Sequence, residues 1–335
     1  MAKNFLNRRS FLKIAGAAGV ALGFGGQTGT QAAPSAGPGH PLQTSTPADM
    51  DSMEAAGVKY FLDNIGKDKD FWGVAMPFTK DGDTKVFDIT CSEGSWETSP
   101  GNKIDALMYN ERVPGPYIRV TQGDNVRFNV TNKMTESTAI HWHGLHVPIG
   151  MDGVPFITQP PIKPGETFVY EFTVKNSGTH MYHSHHNAAD QVTRGLMGAF
   201  IVDPVDMSKE PQVTAEYILV LNDAGIGMSL NARSFPATQP ILAAKGDRIR
   251  IRYMNEGLQI HPMHLHGMYQ TVIAKDGANL PLPYLADTIC VAPGERYDVL
   301  VDCEEPGAWA FHCHILTHAE SNMGMYGMVT ALVIK

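Results

Sequence analysis

Apolar and polar positions alternate with a period of two in four runs. These are Val126-Arg127-Phe128-Asn129-Val130, Phe168-Val169-Tyr170-Glu171-Phe172, Ile249-Arg250-Ile251-Arg252-Tyr253 and Tyr297-Asp298-Val299-Leu300-Val301. A strand sends successive side chains to opposite faces, so each run predicts a strand with one face toward a core. Turn signals such as Lys163-Pro164-Gly165 separate them. Met50 to Ile65 instead carries apolar residues at near-helical spacing and predicts a short helix ahead of the strands. Ile14 to about Gly26 is continuously apolar, too short to span a bilayer and suited to the apolar region of a signal peptide. No later apolar run approaches the roughly 18 residues of a membrane helix.

The same pattern occurs twice. Gly123-Asp124 and Gly246-Asp247 are offset by 123 residues, as are His141-Trp142-His143-Gly144 and His264-Leu265-His266-Gly267. Pro164-Gly165-Glu166 and Pro293-Gly294-Glu295 are offset by 129, as are His183-Ser184-His185 and His312-Cys313-His314. Four landmarks in one order, with a single six-residue change of offset, mark an internal duplication. Many short strands in copies of roughly 120 residues predict an all-β protein of two tandem Greek-key β-sandwiches. The expected organisation is a leader at 1–36, a partly helical extension at 37–82, domain 1 at 83–205, a linker at 206–213 and domain 2 at 214–335.

Composition narrows the function. The 335 residues are 43% hydrophobic and 18% charged, enough to bury a sizeable core. The net charge of −8 argues against nucleic acid as a partner, which would call for a basic face. Four cysteines exclude a disulfide framework. Residues 1–36 hold four basic and no acidic residues, and Arg8-Arg9 precedes Ser10-Phe11-Leu12-Lys13 and the apolar run. This resembles a twin-arginine export signal, so a periplasmic or extracellular protein without membrane insertion is expected. The remaining chain carries 22 basic and 34 acidic residues, a net charge of −12.

The fourteen histidines carry the chemistry. Four His-X-His units, His141/His143, His183/His185, His264/His266 and His312/His314, each place two imidazoles on one face of a strand. Eight imidazoles at matching places in a duplicated domain suit a cluster of metals. Domain 2 adds Cys313 between two of these histidines, with His318, Met323 and His261 nearby. One thiolate, two imidazoles and a weakly bound thioether are the parts of a blue-copper site. In domain 1 the aligned positions are Thr138, Ser184, Ala189 and Arg194, so the chain encodes one such site. Since Cys313 neighbours His312 and His314, a short through-bond path joins the two kinds of site.

The motifs His-Trp-His-Gly, His-Met-Tyr-His-Ser-His, His-Pro-Met-His-Leu-His-Gly and His-Cys-His-Ile-Leu-Thr-His, with Met323 following the last after four intervening residues, resemble the four copper-binding motifs of multicopper oxidases. The chain is most similar to the two-domain, small bacterial laccases. The resemblance implies cupredoxin-like domains and four coppers per chain. It implies a type 1 copper at His261, Cys313, His318 and axial Met323, and a type 2 copper at His141 and His264. It implies one type 3 ion at His143, His183 and His314 and the other at His185, His266 and His312. Asp152 resembles the acidic residue such enzymes place near the type 2 copper, and Glu320 is a second candidate proton donor. His146, His180 and His186 are left over.

The implied function is laccase-like. A phenol or aromatic amine would be oxidised one electron at a time, coupled to four-electron reduction of O2 to water, and an axial methionine suits easily oxidised donors. The implied assembly is a homotrimer in which domain 1 of one subunit meets domain 2 of the next. A cuprous-ion oxidase is the alternative, suggested by 17 methionines, among them Met323, Met325 and Met328. A copper nitrite reductase or a copper carrier would leave the eight paired histidines unexplained. Cys91, Cys290 and Cys303 remain, with no pairing among them singled out.

Overall fold

The computed structural model describes residues 47–335. The expected export signal at 1–36 and residues 37–46 of the expected extension lie outside the described residues. The predicted helix spans Pro47–Asp63. The four alternating runs fall in the strands Asn125–Asn132, Thr167–Thr173, Arg248–Asn255 and Arg296–Asp302. Among the described residues no helix is long and apolar enough to cross a membrane.

Each sequence copy is a sandwich of two sheets. In domain 1, one sheet carries Thr84–Ser99, Asn125–Asn132 and Thr167–Thr173, and the facing sheet carries Gly115–Thr121, Met197–Asp203, Gly178–Ser184 and Ile140–His141. In domain 2, Ala215–Asn222, Arg248–Asn255, Arg296–Asp302 and Gln270–Lys275 face Val329–Ile334, Gly307–Cys313, His261–Leu265 and Thr288–Val291. The first and second sheets of each domain enclose its own core, around Phe87, Phe128, Trp142 and Phe200 in one and Ile251, Tyr253, Val299 and Phe311 in the other. The stretch between Asp203 and Ala215 holds only a single turn of 3-10 helix, Met207–Lys209.

The six-residue change of offset has a structural cause. Between His266 and Pro293, domain 2 inserts the hairpin Gln270–Lys275/Ala278–Ala286. The corresponding stretch of domain 1 is a 3-10 turn, Ile149–Met151, and irregular loop.

The polar positions Arg250 and Arg252 face no solvent; their side chains are only 5% exposed. Arg252 donates to Asp298 and Glu216 at 2.7 Å each and to Thr179 Oγ1 at 2.6 Å, and Thr179 also donates to Asp298 at 2.5 Å. Arg119 from domain 1 binds Asp203 at 2.8 Å and Glu216 at 2.9 Å. The outer face of the domain 2 strand is thus a domain interface, and its charges are paired because an unpaired buried charge would be prohibitive. An apolar layer joins it, with Met181, Met197 and Ile201 of domain 1 against Ile218, Val220 and Met254 of domain 2.

Candidate metal centres

The two sandwiches place their His-X-His units in the same register. Ile140 and His141 pair across strands with Ser184 and His183, and Met263 and His264 pair with Cys313 and His312. The side chain of Cys313 turns inward and those of His312 and His314 turn outward, as alternation requires.

The inward side holds a buried triad. The donor atoms of His261, Cys313 and His318 all lie within 4.8 Å of one another. Cys313 Sγ is 3.8 Å from His261 Nδ1 and 3.6 Å from His318 Nδ1, and the two nitrogens are 3.3 Å apart. A metal about 2.0 Å from nitrogen and about 2.3 Å from sulfur, in a trigonal plane, separates its donors by roughly 3.5–3.7 Å. The triad fits. Burial pushes the Cys313 thiol up to about 11, so the thiolate needs a bound cation to form at neutral pH.

Asp223 completes the arrangement, and sequence spacing gave no signal for it. The ring of His261 donates from Nε2 to Asp223 Oδ2 at 3.0 Å, which leaves Nδ1 with its lone pair toward the triad. Asp223 also accepts from the amides of Leu258 at 3.0 Å and Gln259 at 3.0 Å. Burial pushes its carboxyl up, but the hydrogen bonds from His261, Leu258 and Gln259 outweigh this and hold it below the usual carboxylate range.

Domain 1 shows what the same position does without a metal. Thr138 and Ser184, aligned with His261 and Cys313, lie 3.3 Å apart, and both hydroxyls donate to Gln191 Oε1, at 2.9 and 2.5 Å. All three residues are fully buried. Neutral hydrogen bonds close the space that the triad leaves for an ion. Gln191 was not foreseen.

The outward side of each sandwich displays four imidazoles. In domain 1, His141 lies 5.5–5.6 Å ring to ring from His143, His183 and His185. In domain 2, His264 lies 4.8–5.8 Å from His266, His312 and His314. His143 Nδ1 approaches His183 Nε2 to 3.1 Å, and His266 Nε2 approaches His312 Nε2 to 3.1 Å. Two nitrogens about 2.0 Å from one ion take such a spacing. Main-chain carbonyls fix the rings: His183 Nδ1 donates to Ser184, His312 Nδ1 to Cys313, His141 Nδ1 to Asp152 and His264 Nδ1 to Asp287, at 2.8–3.0 Å. In all four the Nε2 lone pair remains for a metal. Burial, aided by the nearby Arg296 guanidinium, holds His143 down at about 3, and burial holds His183 down at about 4, so both stay neutral.

The Asp152 carboxylate is 3.6 Å from His141 Nδ1. The following residue, Gly153, has φ +86°, and any side chain there would collide with the Ile140 carbonyl, so glycine holds the Asp152 turn against His141. Asp287 is its counterpart in domain 2, with its carboxylate 4.0 Å from His264 Nδ1; it was not foreseen, although it too falls between the His-X-His-Gly and Pro-Gly-Glu landmarks. Glu320 is exposed on the hairpin Glu320–Ser321/Gly324–Met325, which follows His318 and carries Met323. Of the left-over histidines, His180 is buried, and its Nδ1 lies near the guanidinium of Arg296 at Gly144. All four cysteines are free.

Among the described residues, no ring contact or hydrogen bond joins the domain 1 four to the domain 2 four. His185, His266 and His314 are exposed. Each sandwich thus presents half of an eight-histidine set at its surface.

A thiolate with two imidazoles selects copper. A protein of two β-sandwiches with such a triad one residue from outward-facing imidazoles falls in the class of blue-copper proteins with a second metal cluster. The comparisons with known proteins agree. Multicopper oxidase family models match residues 90–206 and 208–331. The chain belongs to the multicopper oxidase family. A solved structure described as multicopper oxidase mgLAC is 39% identical with a TM-score of 0.71, covering 75% of this chain and 86% of that one. Copper resistance protein A of Escherichia coli is 28% identical over 284 residues, 64% of this chain and 46% of that one. Laccase-2 of Botryotinia fuckeliana is 28% identical over 296 residues, 72% of this chain and 50% of that one. The chain spans about half the length of these two curated relatives.

Proposed function

We propose that the protein is a laccase-like multicopper oxidase that holds four coppers per chain. The observation that carries this is the pairing of a buried Cys313–His261–His318 triad with outward imidazoles on the same three-residue stretch, His312-Cys313-His314. Copper, when bound, supplies one-electron oxidation of a donor and reduction of O2 to water. The protein's part is to position and insulate. Cys313, His261 and His318 would hold the type 1 ion, with Met323 of the following hairpin as a further, weaker ligand. His141 and His264 would hold the type 2 ion, and the type 3 pair would be held by His143, His183 and His314 on one ion and by His185, His266 and His312 on the other, a division that the 3.1 Å approaches of His143 to His183 and of His266 to His312 support. Asp152, beside His141, would hold a proton for water formation, with Asp287 in the matching place beside His264.

Phenolic or aromatic amine donors fit the surroundings of the triad. Leu258 and Ile260, just before His261, and Leu316, just before His318, are about half exposed. The methionines that suggested a cuprous substrate are taken up by packing: Met328 is in the domain 2 core and Met325 packs beside Phe61 and Phe235. Turnover on 2,6-dimethoxyphenol set against turnover on cuprous ion tests the choice. A phenol rate with four electrons consumed per O2 supports the laccase reading, and a rate confined to cuprous ion overturns it.

The incomplete histidine sets imply a second copy. Ile149, Phe156 and Ile157 near Asp152 are 77–82% exposed, and Leu282, Tyr284 and Leu285 ahead of Asp287 are 49–82% exposed. Phe156 holds φ +67°, a strained conformation for a bulky residue that keeps the ring outward. Apolar loops beside each half-set suit burial against the complementary half of another subunit, and a head-to-tail contact closes into the expected homotrimer. The export signal at Arg8-Arg9 would deliver the protein outside the cytoplasm.

A further inference from the structure

The helix Pro47–Asp63 lies on the chain segment that carries two of the four type 1 positions. Phe61 and Val58 pack into a small cluster with Ala319 and Met325, and with Phe235, Val329 and Ala331. Ala319 directly follows His318, and Met325 lies two residues past Met323. Gly324, with φ +94°, lets the hairpin approach the helix backbone: a Cβ there would sit 3.0 Å from Glu54 Cβ. The lower end of the helix is fixed by the Phe61–Phe235 ring contact at 5.5 Å and by the Gly66 amide donating to Gln239 Oε1 at 2.7 Å. The triad beneath is closed off: His261 is 0% and His318 4% exposed.

The covering helix is acidic. Asp49, Asp51 and Glu54 stand in its first half, the half over Gly324, and Lys59 is held by Asp63 at 2.6 Å near the other end. Glu320 is exposed on the hairpin that the helix packs against. Carboxylates on this helix would repel an approaching anion, and a helix seated on the segment that follows His318 would narrow the approach of a bulky donor.

We propose that this helix determines donor specificity, covering the face of the Cys313 triad where electrons enter and favouring small neutral or cationic donors over bulky anionic ones. The inference rests on the type 1 reading of that triad. Its elements act through the approach of the donor, so they are positioning residues.

The test uses the copper-loaded full chain and two donors, the bulky dianion 2,2′-azinobis(3-ethylbenzothiazoline-6-sulfonate) and small neutral 2,6-dimethoxyphenol. Asp51→Lys with Glu54→Lys reverses the rim charge and leaves Val58 and Phe61 seated. The expected result is about a tenfold rise in kcat/KM for the dianion, mostly through KM and abolished by 0.5 M salt, with the phenol within about twofold. Val58→Asp with Phe61→Asp unseats the helix and should raise the dianion rate at any salt. If that variant does not fold, the charge-reversed one still decides. Unchanged or parallel responses of both donors, with the blue absorption near ~600 nm intact, would overturn the cover. Absence of that absorption in the unsubstituted chain would strike the copper reading itself, a distinguishable failure.

Discussion

At the scale of single residues, the ligand set was legible because metal ligation imposes spacing. Two imidazoles on one strand face need positions i and i+2, and that period survives in the sequence whatever the rest of the fold does. Asp223, Asp287 and Gln191 were not legible, since each reaches its partner through tertiary approach: Asp223 lies 38 residues from His261. Asp223 also gives the sharpest prediction at this scale. Asp223→Asn can donate to His261 Nε2, which would place the proton on Nδ1 and turn the lone pair away from the triad. Copper affinity at the type 1 position should fall about 10–100-fold, with the blue band lost first on titration with a chelator. An unchanged band and affinity would mean that Asp223 does not set the His261 tautomer.

At the scale of elements, period-two alternation found the strands but left open what lies against their polar faces. At Arg250 and Arg252 alternation reports only that two faces differ in polarity, not what covers the polar one. The structure covers it with domain 1 and pairs its charges. Burial pushes the Glu216 carboxyl up, but Arg252, Arg119 and Arg250 outweigh it and hold it below its ordinary value. A group depressed in the folded state contributes stability that is present above its unfolded pKa of about 4.3 and is lost as pH falls through the folded value. Thermal stability should therefore fall below about pH 4, and Glu216→Gln should flatten that part of the profile. Arg252→Met leaves the buried Asp298 without its ion-pair partner, and Glu216 with only Arg119 and Arg250, and should cost about 3–5 kcal/mol at pH 7, read as a loss in denaturant midpoint. A loss under 1 kcal/mol would show that the network is loosely solvated.

At the scale of the whole molecule, the duplication was the most legible feature, since two copies of one sandwich must repeat the same landmarks in the same order. What duplication could not tell is where the two histidine sets lie relative to each other. The structure shows no ring contact or hydrogen bond between them among the described residues, with exposed apolar residues near each, which is the arrangement the proposed intersubunit cluster calls for. Phe156→Glu should dissociate the assembly to monomers in light scattering and remove the near-ultraviolet absorption of the cluster, while the buried triad keeps its blue band. A variant that stays assembled would place the contact elsewhere.

The central claim is one blue copper and one three-copper cluster per chain, the cluster completed between subunits. The most direct test is copper per chain, measured with the absorption spectrum on the oligomer isolated at its native mass. The account predicts a trimer with four coppers per chain, an intense band near ~600 nm and a near-ultraviolet shoulder. A monomer that still holds four coppers with that shoulder would contradict the shared cluster, and two or fewer coppers per chain without the shoulder would contradict the cluster altogether.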